Sequence, residues 1–215
     1  FGHINLGNLL KINNKLDEAI SSYEKALALD ENTEFLKGVL FNTKMMVCDW
    51  NDFESKINQL KVSIQKKQQA IRPFAMLSIA DNPKLNKLVA EIFSNFYFTD
   101  NKHDFKSSFN KKNTKIKIGY FSSDFNQNHP VSHLINELFE NHDSKSYEIF
   151  AFSFQASSES DIFRKKIRKY VKHFYNVENK SDDDIVSISR KLNLDIAVDL
   201  NGHTQNARTT IFSKR

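Results

Sequence analysis

The sequence predicts a chain in two parts, α-helical repeats followed by an α/β domain on a parallel sheet. Three observations predict it. Small and large apolar residues recur at helical spacing through "INLGNLLKINNKLDEAISSYEKALALDEN", where two short helices meet across a turn. Helical texture then persists to about Tyr97. After Lys115 the texture changes, and apolar runs of strand length alternate with amphipathic runs of helix length, which is the signature of parallel strands joined by crossovers.

In the opening stretch Leu6, Gly7 and Leu10 lie on one face of a first helix, and Ala19, Tyr23 and Ala26 on one face of a second, with the turn at Asn13-Asn14. Gly7 and Ala19 let the helices approach closely, and Tyr23 and Leu10 fill the space around them. This pattern resembles the tetratricopeptide repeat. It departs at His3, where tryptophan is common, and at Glu31, where proline usually ends the second helix. A single repeat does not bury its own faces, so further repeats are expected ahead of Phe1. A third helix is expected from about Thr33 to Val47. The next carries Phe53, Ile57, Leu60 and Ile64 at helical spacing, capped by Asp49 or Asn51. Pro73 and Pro83 break the helical layer, with a helix from about Pro83 to Tyr97. The polar, basic stretch "DNKHDFKSSFNKKNTK" is the expected linker.

In the second part Ile116, Ile118 and Tyr120 start a strand, and Val131 to Asn141 reads as a helix. "YEIFAFSF" is a strand, Asp161 to Val171 a basic amphipathic helix, and "KHFYNV" a short strand. Ser181 to Leu192 is a helix capped by Ser181 or Asp182, and "LDIAVDL" is a buried strand leading into "NGHT" and a last helix. The expected division is residues 1–69 as repeat and cap, 70–114 as helical connector and linker, and 115–215 as a partial Rossmann-like lobe. The ends of the sequence read as cuts within a longer chain.

Composition narrows the function classes. Lys and Arg number 31 against 26 Asp and Glu, a formal charge of +5, but the lysines are interleaved with acids, which argues against a nucleic-acid stripe. No apolar run has the length of a membrane span. The single cysteine, Cys48, excludes an internal disulfide framework and fits a reducing, cytoplasmic setting.

In a parallel sheet the turns after the strands open on the carboxyl rim, where such folds bind ligands. "SSDFNQNHP" follows the first strand and "NGHT" the last, so His129 and His203 are expected at one crevice. Pro130 fits a first helical turn and leaves His129 just outside the helix. The field of the helix start disfavours imidazolium and leaves the neutral ring that a general base needs. The alternative is a surface histidine acting as a cap. His129 and His133 are four apart, but no glutamate stands between them and no third ligand is evident, so no metal is expected. Asp124 ties its turn through backbone amides or orients a substrate hydroxyl. Gly202 supplies a backbone geometry that other residues resist, and Thr204 is a natural N-cap. Arg208 reads as an anion contact or as the partner of a neighbouring carboxylate, and "SDDD" at Ser181 to Asp184 as helix capping.

Taken together and in this order, the repeat, "VCDWNDF", "KIKIGYFSSDFNQNHPVSHL", "HDSKSYEIFAFSF" and "LDIAVDLNGHTQNARTTIFSKR" resemble the protein O-linked N-acetylglucosamine transferases, including SPINDLY-like and bacterial relatives. The resemblance implies repeats that select protein acceptors, joined to the first lobe of a GT-B glycosyltransferase. Such an enzyme moves a sugar with inversion from a UDP-sugar to serine or threonine hydroxyls, without a metal or other cofactor. It implies His129 as catalytic, and Asp124, His133, Asn201, Gly202, His203, Thr204 and Arg208 on the substrate side. His203 stands where some animal relatives have tyrosine. The donor is expected to be held mainly by a second lobe outside these residues, which leaves the chain alone inactive. The rival expectation is a non-catalytic scaffold with a degenerate α/β part.

Overall fold

The computed structural model describes residues 1–98, 115–156, 158 and 160–214. The expected linker falls almost wholly outside them. The chain divides into two compact units, residues 1–99 and 100–215.

The first unit is helical. Helices α1 (Gly2–Ile12) and α2 (Leu16–Leu29) form the expected hairpin, with Asn14 in the left-handed region at the turn. Ala19, Tyr23 and Ala26 are buried. Gly7 is required by the close approach, because a Cβ there would sit 2.4 Å from Tyr23 Cε1. Leu6, expected on the packed face, is instead 48% exposed, while Ile4 and Leu10 pack beside Gly7 against the α2 cluster. Helix α3 (Leu36–Met46) follows a left-handed Phe35. Helix α4 (Phe53–Gln65) buries Ile57, Leu60 and Ile64 as its spacing predicts. Its N-cap is Asp52 rather than Asp49 or Asn51; the Asp49 carboxylate accepts from the Asn51 amide 3.1 Å away and closes a turn ahead of the helix.

Pro73 and Pro83 each open a helix rather than only ending one. Helix α5 (Pro73–Leu77), too short to show a period, was not legible in sequence, whereas α6 (Pro83–Tyr97) has the expected bounds and is capped by Asn82. Residues 70–98 pack into one core with α3 and α4, through Phe41, Ile57, Ile71, Met76, Leu85 and Val89. They are therefore part of the helical body.

The second unit is a doubly wound parallel sheet. Strands β1 (Ile116–Ser122), β2 (Tyr147–Ser153), β3 (His173–Asn176) and β4 (Ile196–Asp199) lie in the order β3-β2-β1-β4. All pairings are parallel. Helices α7 (Pro130–Asn141) and α8 (Ile162–Ile167) follow β1 and β2. Helix α9 (Asp182–Lys191) precedes β4, and α10 (Thr210–Ser213) comes last.

Alternation along the strands sorts two cores. Ile118, Tyr120, Ile149 and Ala151 meet Phe139, Phe163 and Ile167 from α7 and α8 on one face. Phe121, Phe150 and Phe152 meet Ile185, Val186 and Ile211 from α9 and α10 on the other. Two expectations change. Helix α8 spans six residues rather than the longer basic helix from Asp161 to Val171. Strand β4, expected to be buried, is an edge strand with Ile196 46% exposed; an apolar run reports strand identity but not its place in the sheet.

Candidate functional site at the strand-order switch

The chain adds β2 and β3 on one side of β1 and then crosses to add β4 on the other. The turns after β1 and β4 therefore part at the switch point, where open α/β sheets bind ligands.

Each turn is fixed locally. After β1, Ser122 Oγ accepts from the Asp124 amide at 2.9 Å, and Ser132 Oγ reaches back from α7 to donate to the Asp124 carbonyl at 2.6 Å. After β4, one oxygen of Asp199 accepts from the amides of Asn201 and Gly202 at 2.9 and 3.0 Å. Gly202 has a φ of +59°, the left-handed geometry that favours glycine. Thr204 Oγ1 donates to the Asn201 carbonyl at 3.0 Å. It closes this turn and does not cap the last helix, whose N-cap is Thr209.

A buried asparagine joins the two turns. Asn201 Oδ1 accepts from the Ser123 amide at 2.7 Å, while its Nδ2 donates to Ser123 Oγ at 2.9 Å and to Asp124 Oδ2 at 2.6 Å. Ser123 Oγ donates to the other Asp124 oxygen at 2.7 Å. The Asp124 carboxylate thus serves side-chain donors that lock the crevice, rather than the backbone amides expected from sequence. In the second turn that amide-tying part falls to Asp199.

His129 is the N-cap of α7, and its Nδ1 accepts from the Val131 amide at 3.3 Å. Asp124 Oδ2 lies 3.7 Å from the same nitrogen. With Nδ1 accepting, the proton of the neutral ring sits on Nε2, so the half-exposed ring presents a donor in this arrangement. The cap that the sequence offered is there. His203 is partly buried; burial lowers its pKa below the ordinary histidine value and Asp199 opposes that shift. His133, one turn into α7, is exposed.

Arg208 is committed to structure. Its Nε donates to Asp182 Oδ1 at 2.7 Å, its other nitrogens donate to the carbonyls of Val177 and Lys180, and the guanidinium lies over Phe154. Of the two readings, the neighbouring carboxylate holds. Within "SDDD", Ser181 and Asp184 form a capping box, Asp182 holds Arg208 and Asp183 pairs with Lys214. Among the described residues no group of three or more His, Cys, Asp or Glu side chains gathers into a metal-sized cluster.

Beneath the rim, Arg164 is 5% exposed. It donates to the Phe125 carbonyl at 2.8 Å, to Ser153 Oγ at 2.7 Å, to Asn176 Oδ1 at 3.0 Å and to the Gln155 carbonyl. One guanidinium thus ties the carboxyl ends of β1, β2 and β3. Burial lowers its pKa, opposed first by Asp161, whose carboxylate caps α8 and accepts from the Gln127 amide at 3.0 Å. Beside this clamp is a polar recess of about 420 Å³, lined by Asn126, Gln127, Asn128, Gln155, Ser158 and Ser160 among others.

Comparison with known proteins gives the family. The family model described as glycosyl transferase family 41 matches residues 47–215, and the tetratricopeptide repeat model matches residues 1–33. The chain belongs to glycosyl transferase family 41. A probable UDP-N-acetylglucosamine--peptide N-acetylglucosaminyltransferase SEC of Arabidopsis thaliana is 36% identical over 99 residues, covering 46% of this chain and 10% of that protein. The UDP-N-acetylglucosamine--peptide N-acetylglucosaminyltransferase of Caenorhabditis elegans is 26% identical over 190 residues, covering 79% of this chain and 16% of that one. A solved structure of a mutant O-GlcNAc transferase from Thermobaculum terrenum shares the fold. Its TM-score is 0.62 at 20% identity, over 99% of this chain and 35% of that one. The chain spans no more than about a sixth of the length of these curated relatives.

Sequence reading placed His129, Asp124, Asn201, Gly202, His203 and Thr204 on the two rim turns, and the structure has them there. It missed Ser123, Asp199 and Arg164. For Asp199 a signal was present, since an aspartate two residues ahead of Asn201-Gly202 is the spacing of a side chain that closes a turn.

Proposed function

We propose that this chain is the acceptor-side portion of a protein O-glycosyltransferase of family 41, which transfers a sugar, N-acetylglucosamine, from a UDP-sugar to serine or threonine hydroxyls with inversion. The observation that carries the reading is the Asn201 bridge, which holds the β1 and β4 turns together at the switch point. In the reaction the acceptor oxygen bonds to the anomeric carbon as the bond to UDP breaks, its electron pair leaving on the diphosphate, and the hydroxyl proton passes to a phosphate oxygen of the donor. His129, with Nδ1 engaged by the helix start and Nε2–H free to donate, orients an oxygen at the acceptor rather than taking its proton in this state. His203, whose pKa burial lowers, brings a second polar ring to the same rim.

The donor nucleotide is held mainly by a second lobe, and no metal takes part. Protein acceptors are recruited through the helical repeats, in the cytoplasm. Among the described residues no helix is long and apolar enough to cross a bilayer. No observation favours the scaffold reading.

The test is sugar transfer from UDP-N-acetylglucosamine to a serine-rich peptide by the full product of the gene, read by mass spectrometry beside donor-only hydrolysis. His129→Ala and Asn201→Ala are expected to lose peptide transfer by roughly a hundredfold while the fold is kept. Unchanged transfer in both variants refutes the reading. The 215-residue chain alone is expected to transfer nothing, because donor and acceptor are not held together.

A further inference from the structure

The helical unit carries a groove that the sugar-transfer reading does not use. It lies across α2, α3 and α4. Leu27, Leu40, Phe41 and Leu60 line it, with Lys37, Lys44 and Lys56 also at its wall. Its volume is about 270 Å³, below the range of roughly 300–1,000 Å³ of small-molecule sites but enough for an anchoring side chain. A cofactor is therefore a poor fit.

The charge around the groove has one sign at its wall. All three charged lining residues are lysines. Lys44 is answered by Glu24 at 2.5 Å, and Asp49 feels both Lys44 and Lys56. Lys56 spends its ammonium on the carbonyl of Asn51 at 2.7 Å, and Lys37 has no ion pair among the described residues. Three cations against two neighbouring carboxylates leave the rim positive. Long lysine stems also extend the apolar wall while their heads reach solvent.

We propose that this groove docks an acidic, amphipathic peptide segment of a partner protein, with a bulky apolar residue seated on Leu40 and Phe41 and flanking carboxylates meeting Lys37 and Lys56. The apolar anchor supplies affinity and the carboxylates select partners and speed their approach. The inference rests on the proposed function only in that the helical unit recruits proteins; peptide binding by the groove tests the one and sugar transfer tests the other.

The experiment titrates the 215-residue chain with fluorescein-labelled peptides of about twelve residues, one with a central Leu-Phe pair flanked by glutamates and one with lysines in place of the glutamates. Fluorescence anisotropy reads binding, and amide chemical-shift mapping reads its place. The glutamate peptide is expected to bind, to weaken with added salt, and to shift amides of α2, α3 and α4. The lysine peptide is not. The double variant Lys37→Glu, Lys56→Glu, on two partly exposed side chains, is expected to weaken binding roughly tenfold or more with an unchanged circular dichroism spectrum. Absence of binding, binding indifferent to the double variant, or shifts confined to other helices overturns the proposal. So does sedimentation showing that two copies of the chain associate through the groove and exclude the peptide, because the occupant would then be the chain itself.

Discussion

Replacing Arg164 with methionine tests how the rim is held. Methionine keeps much of the side-chain length and can fill the space, but removes every donor. The Phe125 carbonyl then loses the guanidinium, and a buried carbonyl left without a donor costs about 1–3 kcal/mol. The Gln155 carbonyl keeps a bond from Ser153 Oγ at 2.9 Å, and Asn176 can turn to water, so these losses add about 1 kcal/mol each at most. The buried carboxylate of Asp161 loses the cation that opposes it. Against these stands the recovered desolvation of a buried guanidinium, several kcal/mol in its own right. Removing one partner of a buried charge pair costs about 3–5 kcal/mol with that recovery already included, and the loss expected here is about 3 kcal/mol, at the low end.

The assay is urea unfolding followed by hydrogen exchange of the β1, β2 and β3 amides, where the midpoint is expected to fall by about 1–3 M. The single tryptophan, Trp50, belongs to the helical unit, so its fluorescence reports that unit separately. Arg168→Met is the control, since Arg168 is exposed, lies over the face of Phe174 and opposes Arg164 only through its like charge. A shift for Arg164→Met no larger than the control's refutes the clamp.

Other outcomes follow from particular contacts. Asn201→Asp puts a second carboxylate 2.6 Å from Asp124 and is expected to destabilise more than Asn201→Ala, by about 1 kcal/mol or more, read as faster exchange of the Ser123 amide. Gly7→Val is expected to cost about 1–3 kcal/mol by driving α1 from Tyr23, seen as lost helical signal at lower temperature. Lowering the pH should destabilise the second unit through His142 and His203, both held by burial below the ordinary value of 6.5. Their stabilising effect is complete above that value and is lost as pH falls through the folded values, because the unfolded chain takes up protons first. Urea midpoints at about pH 7.5 and pH 5.5 should therefore differ, and differ less in His142→Phe, which removes one of the two groups.

Much of this architecture was legible from local chemistry. The hairpin of α1 and α2 follows from Gly7, Ala19 and Tyr23, and the start of α9 from Ser181 and Asp184, because the first is decided within one hairpin and the second within one helical turn. Parallel pairing makes the turns after β1 and β4 share a rim, so the placement of His129 and His203 could be read without coordinates. Arg164 could not. In "IFRKKIRK" it looks like one more solvated cation, and its burial is decided by Phe125, Ser153 and Asn176, each contributed by a different strand end. Arg208 was ambiguous for the same reason, since its partners Val177, Lys180 and Asp182 lie about thirty residues earlier. The exposure of β4 escaped because its apolar composition says nothing about which neighbour it lacks.

The order of the strands also sets a sequence in time. β1 meets β2 after one short crossover, but Ile118 pairs with Ile196 only once most of the intervening chain has been drawn across. Closure of such a long loop carries the larger entropic cost and slows the step. Pulse-labelled hydrogen exchange during refolding is therefore expected to protect the amides shared by β1 and β2 before those shared by β1 and β4, and the cleft between the β1 and β4 turns, which depends on the later pairing, is expected to form with it.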